Sequence, residues 1–235
     1  MTLKRKPIKY IWREGSTSHC ISNKDYETIL NGCIDGTAVF SVKIDGCRIR
    51  LGKDENGNKL FYTSIQTVPC YDSDIGHFLK YQSAKNCNNA SAMWRANGYD
   101  HLMRFLMNSG IYEVIKPFET FSFECVSRFV FESMNGDNVT IVNIPYTIPS
   151  HLDCILVPHS GFPSFEADSL KVIDPTVSLD VANHVTPTMP REALKTALQS
   201  SFERCEWDGI APAFGHKHEG IVVCVGNVVG KVTLL

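Results

Sequence analysis

Four residues suited to phosphate chemistry lie within six positions, in the segment Lys43-Ile44-Asp45-Gly46-Cys47-Arg48. A lysine amine can act as a covalent nucleophile, and an arginine can bind the anionic oxygens of a phosphate. Glycine permits close approach of the backbone to a ligand. Transfer of a phosphoryl group to an amine needs such residue types, with cations over the phosphate oxygens.

The same segment also has a purely structural interpretation. Asp-Gly between two apolar stretches is a strong short signal for a β-hairpin turn. Val39, Phe40 and Val42 precede the dipeptide, and Ile49 and Leu51 follow it. The segment alone therefore leaves two alternatives open, a hairpin turn and an active site.

Three later segments extend the pattern, and together with Lys43–Arg48 they resemble the motifs of one family. Lys43–Arg48 resembles the first motif, Lys-x-Asp-Gly-x-Arg, of the covalent nucleotidyltransferases, which include DNA ligases, RNA ligases and mRNA capping enzymes. The strand-like segment Phe121-Ser122-Phe123-Glu124-Cys125-Val126 resembles the third motif. Glu219-Gly220-Ile221-Val222-Val223 resembles the fourth, and Gly230-Lys231-Val232-Thr233 matches part of the fifth. The order and separation of the segments are those of the family.

The resemblance implies a role for each site residue. Lys43 is the implied nucleophile, which attacks the α-phosphate of ATP and forms lysyl-AMP, and Mg²⁺ or Mn²⁺ is the implied metal. The implied catalytic residues are Lys43, Asp45, Glu219 and Lys231; the implied nucleotide contacts are Lys43, Gly46, Arg48, Glu124 and Lys231; and the implied metal ligands are Glu124 and Glu219.

Each of these roles has a structural alternative. Asp45 can cap a turn, Arg48 can be a surface cation, and Glu124 and Glu219 can be solvated strand residues. Bare carboxylates favour the charged form of a nearby lysine, so a catalytic role for the two glutamates requires a divalent metal that neutralises them.

The resemblance implies an ATP-dependent polynucleotide ligase that seals the 5′-phosphate and 3′-hydroxyl ends of a nucleic acid, with RNA favoured over DNA. Three alternatives stay open: a DNA ligase or ligase subunit, a capping-type guanylyltransferase, and a non-catalytic nucleotide- or nucleic-acid-binding relative. Many DNA ligases and capping enzymes carry an OB-fold domain after the fifth motif. We expect no such domain here, because the chain ends at Leu235, and a separate chain could supply it.

Three segments of the chain differ from the corresponding motifs of the family. Ser41 and Val42 stand where DNA ligases often have a glutamate, and Thr233 replaces the second lysine of the fifth motif. The segment Thr63-Ser64-Ile65-Gln66 lacks the arginine that usually follows the first pair of strands. One phosphate-binding arginine is therefore missing or comes from elsewhere in the chain. The missing glutamate is the residue that contacts the adenine amino group in those DNA ligases, so the choice among ATP, GTP and NAD stays open.

Length and composition allow one large domain or two small ones, and we favour one domain with insertions. With 235 residues, 43% of them hydrophobic and 20% charged, the chain can bury a full core in either case. We expect one nucleotidyltransferase domain over residues 1–235, with residues 1–36 as a candidate N-terminal extension. The net charge of −2 excludes a protein coated in basic residues. Positive charge is concentrated near the start of the chain, where it either contacts phosphates or belongs to a solvated arm: Lys4, Arg5, Lys6, Lys9 and Arg13.

The 9 cysteines are scattered, without a Cys-x-x-Cys pair. This spacing does not indicate a zinc site. We recognise neither a signal peptide nor a long apolar segment, so we expect reduced thiols, a cytoplasmic location and no membrane association.

Strand and helix patterns come in blocks rather than in alternation, which predicts an α+β fold of mainly antiparallel sheets flanked by helices. Together with the resemblance, this implies the nucleotidyltransferase (ATP-grasp-like) fold. The predicted helices begin at the Ser22–Asp25 cap, within 72–110 and at Pro190; the predicted strands are 39–51, 59–68, 120–131, 139–144, 152–157, 219–225 and 228–235, and 158–189 is predicted as a surface excursion.

Overall fold

A computed structural model describes residues 8–63, 70–71, 90–135, 138–141, 146–159, 161–205, 207–213 and 217–234. The fold is mixed α+β, as predicted, and the chain divides into two compact units. Unit 1 comprises Met1–Ile44, Pro175–Gly209 and Gly215–Leu235, and unit 2 comprises Asp45–Asp174 and Ile210–Phe214. Residues 8–36 belong to unit 1. The single nucleotidyltransferase domain stays a prediction.

The strands are β1 Val39–Lys43, β2 Cys47–Lys53, β3 Lys59–Thr63, β4 Thr120–Ser127, β5 Glu132–Asn135, β6 Asn138–Ile141, β7 Cys154–Pro158, β8 Glu166–Ala167, β9 Leu170–Val172, β10 Thr176–Val177, β11 Gly220–Val225 and β12 Val228–Thr233. The α-helices are α1 Asn23–Asp35, α2 Ala90–Asn108, α3 Arg128–Phe131 and α4 Arg191–Glu203. Within the described residues, no helix is both long enough and apolar enough to cross a membrane.

Unit 1 contains an antiparallel sheet in the order β10-β1-β11-β12. Successive side chains of a strand point to opposite faces, so each strand of this sheet has one buried and one partly exposed side. Helix α1 covers the buried face, because a Cβ on Gly230 would lie 2.9 Å from Ile29 and from Ile11. The residues of this face are Phe40, Val42, Ile221, Val223 and Val232.

Helix α1 begins where the sequence predicts. The Ser22 hydroxyl accepts a hydrogen bond from the Asp25 N–H at 3.1 Å, as an N-cap does. The helix ends at Gly36, whose φ of 76° is the left-handed conformation that glycine adopts at helix C-termini. Its buried side carries Tyr26, Ile29 and Leu30.

Replacing Ser22 by alanine is expected to lower the free energy of unfolding by about 1 kcal/mol, because the Asp25 N–H loses its acceptor. Urea denaturation measures the change. Ser22→Asn is the matched control, since asparagine is an equally good cap and should retain most of the stability. Equal losses in both variants would show that the cap contributes nothing.

Unit 2 is built around a six-stranded sheet in the order β3-β2-β4-β7-β9-β8, in which β7 and β9 are parallel. The core on this sheet includes fully buried side chains from α2, from the turn that follows α2, and from β3 and β4. The buried Tyr112 hydroxyl donates to the Leu60 carbonyl at 3.0 Å, which ties that turn to β3. Examples of the core residues are Phe61, Leu102, Leu106, Tyr112 and Phe123.

The structure excludes one of the two alternatives for the Lys43–Arg48 segment, the hairpin turn at Asp45-Gly46. Strand β1 pairs with β10 and β11 in one sheet, whereas β2 pairs with β3 and β4 in another. The chain therefore passes from unit 1 to unit 2 between Ile44 and Asp45. The strand predicted over 39–51 is therefore two strands, β1 and β2, because apolar alternation indicates strand residues but carries no information about their partners.

Two other predicted elements differ in the structure. The strand predicted over 120–131 ends at Ser127, whose hydroxyl accepts from the Phe129 N–H at 3.2 Å at the start of α3. The predicted excursion 158–189 contains β8 and β9, which belong to the sheet of unit 2 through the buried residues Leu170 and Val172, and β10, which belongs to the sheet of unit 1. The predicted positions 64–68, 72–89 and 142–144 lie outside the described residues.

Candidate active site

Lys43 and Glu219 meet in unit 1. Lys43 ends β1, and its partner on the antiparallel strand β11 is Gly220, the residue after Glu219. The Lys43 Nζ forms an ion pair with Glu219 Oε2, and the two side chains are 21% and 24% exposed. The pairing of β1 with β11 thus joins residues that are far apart in sequence, and it leaves both accessible to a ligand.

Lys231 lies on the same face of this sheet as Lys43. Directly opposite residues in paired strands share a face, and Ser41, Val222 and Lys231 are opposite one another across β1, β11 and β12. Lys43 is two residues beyond Ser41, so it projects to the same side. Three of the predicted site residues, Lys43, Glu219 and Lys231, therefore belong to one unit.

Gly220 has a steric role beside Glu219. A Cβ at this position would overlap with the carbonyl oxygen of Val232 on β12. Only glycine permits this approach of the two strands, so the Glu-Gly dipeptide is needed for packing as well as for any chemistry at Glu219.

Four predicted residues, Asp45, Gly46, Arg48 and Glu124, lie in unit 2. Arg48 on β2 is the register partner of Glu124 on β4, so both lie on one face of the sheet. A Cβ on Gly46 would lie 2.6 Å from the Cys125 carbonyl oxygen and 3.2 Å from Glu124 Cγ, which requires glycine there. Asp45 is exposed, and its N–H donates to the Tyr146 hydroxyl at 3.0 Å.

His159 is a site residue that the sequence reasoning missed. Its Nε2 lies 3.3 Å from Glu124 Oε2, with the two side chains 26% and 22% exposed. The His159 N–H donates to the Ser122 carbonyl at 2.9 Å, which fixes the residue beside β4. A histidine directly after the apolar strand β7 was the only signal, and it becomes informative only when β7 is known to pair with β4.

Tyr10 was also missed. The Lys231 Nζ lies 4.2 Å from the centroid of the Tyr10 ring, within the range of a cation–π interaction. The sequence showed Tyr10 only as one residue of a basic N-terminal segment.

The buried thiol beside Gly46 is a poor nucleophile. Burial and hydrogen bonding to the thiols of Cys154 and Cys47 raise the pKa of Cys125 well above its usual range. Burial likewise raises the pKa of Cys33 to about 12. Because the thiolate is the reactive form, both residues stay protonated and inert near neutral pH.

The two glutamates have suitable chemistry for Mg²⁺, which prefers oxygen ligands and binds through one or two carboxylates together with substrate phosphates. In the structure Glu219 contacts Lys43, and Glu124 contacts His159. Among the residues described, no group of three or more His, Cys, Asp and Glu side chains could hold a metal ion. Each glutamate, in its own unit, therefore offers one carboxylate group that a metal could use together with other ligands.

Comparisons with protein-family models, with curated proteins and with solved structures find no match to this chain. The interpretation of the site therefore depends on its residues and their geometry.

Proposed function

We propose that this chain is an ATP-dependent polynucleotide ligase that acts through a lysyl-AMP intermediate on Lys43. The observation that carries the proposal is the Lys43–Glu219 ion pair on a sheet face that also carries Lys231. It brings an amine into contact with a carboxylate, on a sheet face where a second cation lies two strands away, and phosphoryl transfer to an amine uses residues of these types.

In the proposed first step, Lys43 Nζ attacks the α-phosphorus of ATP. A P–N bond forms, the bond to the leaving oxygen breaks, and pyrophosphate departs. The amine must lose a proton to solvent before it reacts, and neutralisation of Glu219 by a bound Mg²⁺ would favour that loss, because the bare carboxylate in contact with Lys43 favours the ammonium form. Lys231 would stabilise the negative charge on the α-phosphate.

In the later steps, AMP passes from Lys43 to a 5′-phosphate end of the nucleic acid, and a 3′-hydroxyl then displaces AMP to join the strands. Asp45, Gly46, Arg48 and Glu124 have the nucleotide-binding, metal-binding and catalytic roles that the resemblance implies. Bound Mg²⁺ would be held by Glu124 or Glu219 with the phosphates, and it would supply positive charge to the phosphate oxygens. The nucleic-acid partner and the cytoplasmic location belong to this proposal.

The pairing of β1 and β2 supports the functional interpretation of the Lys43–Arg48 segment. Its structural alternative was a hairpin turn, and β1 and β2 do not form one, since they pair in different sheets. The close contact of Gly46 with Cys125 explains why position 46 is glycine. It does not explain why a lysine ends β1 at position 43 or why a glutamate precedes β11 at position 219.

The second candidate function is that of a non-catalytic relative that binds nucleotides or nucleic acid. Thr233, which stands in place of the second lysine of the fifth motif, favours this alternative.

Labelling with α-³²P nucleotides tests the proposal. The protein is incubated with Mg²⁺ and labelled ATP, GTP or NAD, and acid-labile label on the denatured chain is measured. We expect label from ATP, followed by sealing of nicked RNA in preference to nicked DNA. Label from GTP alone would favour a capping enzyme, and the absence of label with all three nucleotides would favour the non-catalytic alternative.

A further inference from the structure

The N-terminal segment adds a further strand-like pairing to the sheet of unit 1. The Ile11 N–H donates to the Lys231 carbonyl at 2.9 Å, and the Lys231 N–H donates to the Lys9 carbonyl at 3.0 Å. Tyr10 therefore lies directly opposite Lys231 in a parallel bridge. Because opposite residues share a face, Tyr10 projects to the side that carries Lys43.

Both backbone polar groups of Tyr10 form hydrogen bonds. Its N–H donates to the His19 carbonyl at 2.9 Å, and its carbonyl accepts from the Ile21 N–H at 2.9 Å. Ile11, the next residue, is fully buried and anchors the segment from the opposite face. The Tyr10 ring is thus presented by a well-fixed main chain.

Two cations share this ring. The Lys231 Nζ lies 4.2 Å from the ring centroid, and the Arg13 Cζ lies 5.0 Å from it. Within the described part of the chain, neither cation forms an ion pair with a carboxylate. Like charges repel, and a phosphate that contacted both cations would reduce this repulsion.

We propose that Arg13 and Lys231, held at the Tyr10 ring, bind a phosphate group of the substrate. The inference rests on the proposed function for the identity of that substrate, a nucleotide or a nucleic-acid end. Arginine binds phosphate through two parallel hydrogen bonds, and the lysine adds a point charge. Arg13 is thereby a candidate for the phosphate-binding arginine that the segment Thr63–Gln66 does not supply.

Arg13→Gln tests the inference, because it removes the charge and keeps much of the side-chain length. One arm measures the ATP concentration that gives half-maximal labelling of Lys43. The other measures binding of a short single strand with a 5′-phosphate and of the same strand with a 5′-hydroxyl, by fluorescence anisotropy. We expect a loss of about tenfold in one arm, which identifies the source of the phosphate.

Three further variants complete the design. Arg204→Gln removes an exposed arginine of the same unit and should change neither arm. Tyr10→Phe keeps the ring and should bind phosphate as the unaltered protein does, whereas Tyr10→Leu removes the ring and should weaken binding as Arg13→Gln does. Urea denaturation establishes that each variant is folded.

The outcomes separate this inference from the proposed function. The inference is overturned if Arg13→Gln changes neither the half-maximal ATP concentration nor the affinity for either strand. It is also overturned if the variant binds the 5′-phosphate and 5′-hydroxyl strands equally more weakly and its half-maximal ATP concentration is unchanged. If the unaltered protein forms no lysyl adduct, ATP binding is measured directly by calorimetry. Arg13-dependent binding of ATP or of the phosphorylated strand would then support the phosphate site while the ligase proposal fails.

Discussion

Replacement of Lys43 by arginine is expected to abolish the covalent nucleotide adduct and leave the fold intact. A guanidinium stays protonated in proteins, so the introduced side chain would keep the ion pair with Glu219 but would not act as a nucleophile. Loss of a covalent nucleophile removes the reaction path itself, and we expect label to fall by roughly a thousandfold or more. The measurement is acid-labile label from α-³²P ATP, with urea denaturation to check stability.

Lys171→Arg is the matched control for this substitution. Lys171 also pairs with a glutamate, at 3.5 Å from Glu166, but the pair lies on the surface of unit 2. The same chemical change there should leave labelling unaltered. Undiminished labelling of the Lys43→Arg variant would refute the assignment of Lys43 as nucleophile, whatever the control does.

Replacement of Gly220 by alanine is expected to lower the free energy of unfolding by about 3 kcal/mol or more. The added Cβ would overlap with the Val232 carbonyl oxygen, which is main chain and has no rotamer in which to avoid the clash. The strands β11 and β12 would have to separate where both are buried, at Gly220 and Val232. Costs of this size are typical of forced overpacking. Urea denaturation measures the loss.

Gly226→Ala is the control within the same pair of strands. Gly226 has a φ of 55° and no atom within 4 Å of a Cβ, so alanine there carries only the cost of the left-handed conformation, about 1 kcal/mol. Gly220→Ala should therefore lose clearly more stability than Gly226→Ala. Similar losses in the two variants would show that β12 can move away from Gly220 at little cost.

Local patterns predicted most of the elements because their causes are local. The Ser22 cap begins α1, Pro190 precedes α4, and Gly226-Asn227 separates β11 from β12. Capping and turn formation depend on residues a few positions apart, which a sequence displays directly. The same local information predicted one strand over 39–51, where the structure has β1 and β2 in different sheets.

Such local patterns do not predict which distant strands pair with one another. The contact of His159 with Glu124 follows from the pairing of β7 with β4, and the contact of Tyr10 with Lys231 follows from a bridge between the two ends of the chain. Alternation of apolar residues indicates a strand and its buried face, whereas its partner depends on the packing of the whole sheet.

The sequence by itself determined the α+β class, the principal helices and strands, and the residue types at Lys43, Glu124, Glu219 and Lys231 that suggest phosphate chemistry. Only the tertiary structure decided which of them meet. It placed Lys43 against Glu219 and on one face with Lys231, and it placed Arg48 opposite Glu124 in unit 2. The physical reason is that an antiparallel register fixes which side chains share a face, and register is set by burial across the whole sheet rather than by neighbours in sequence.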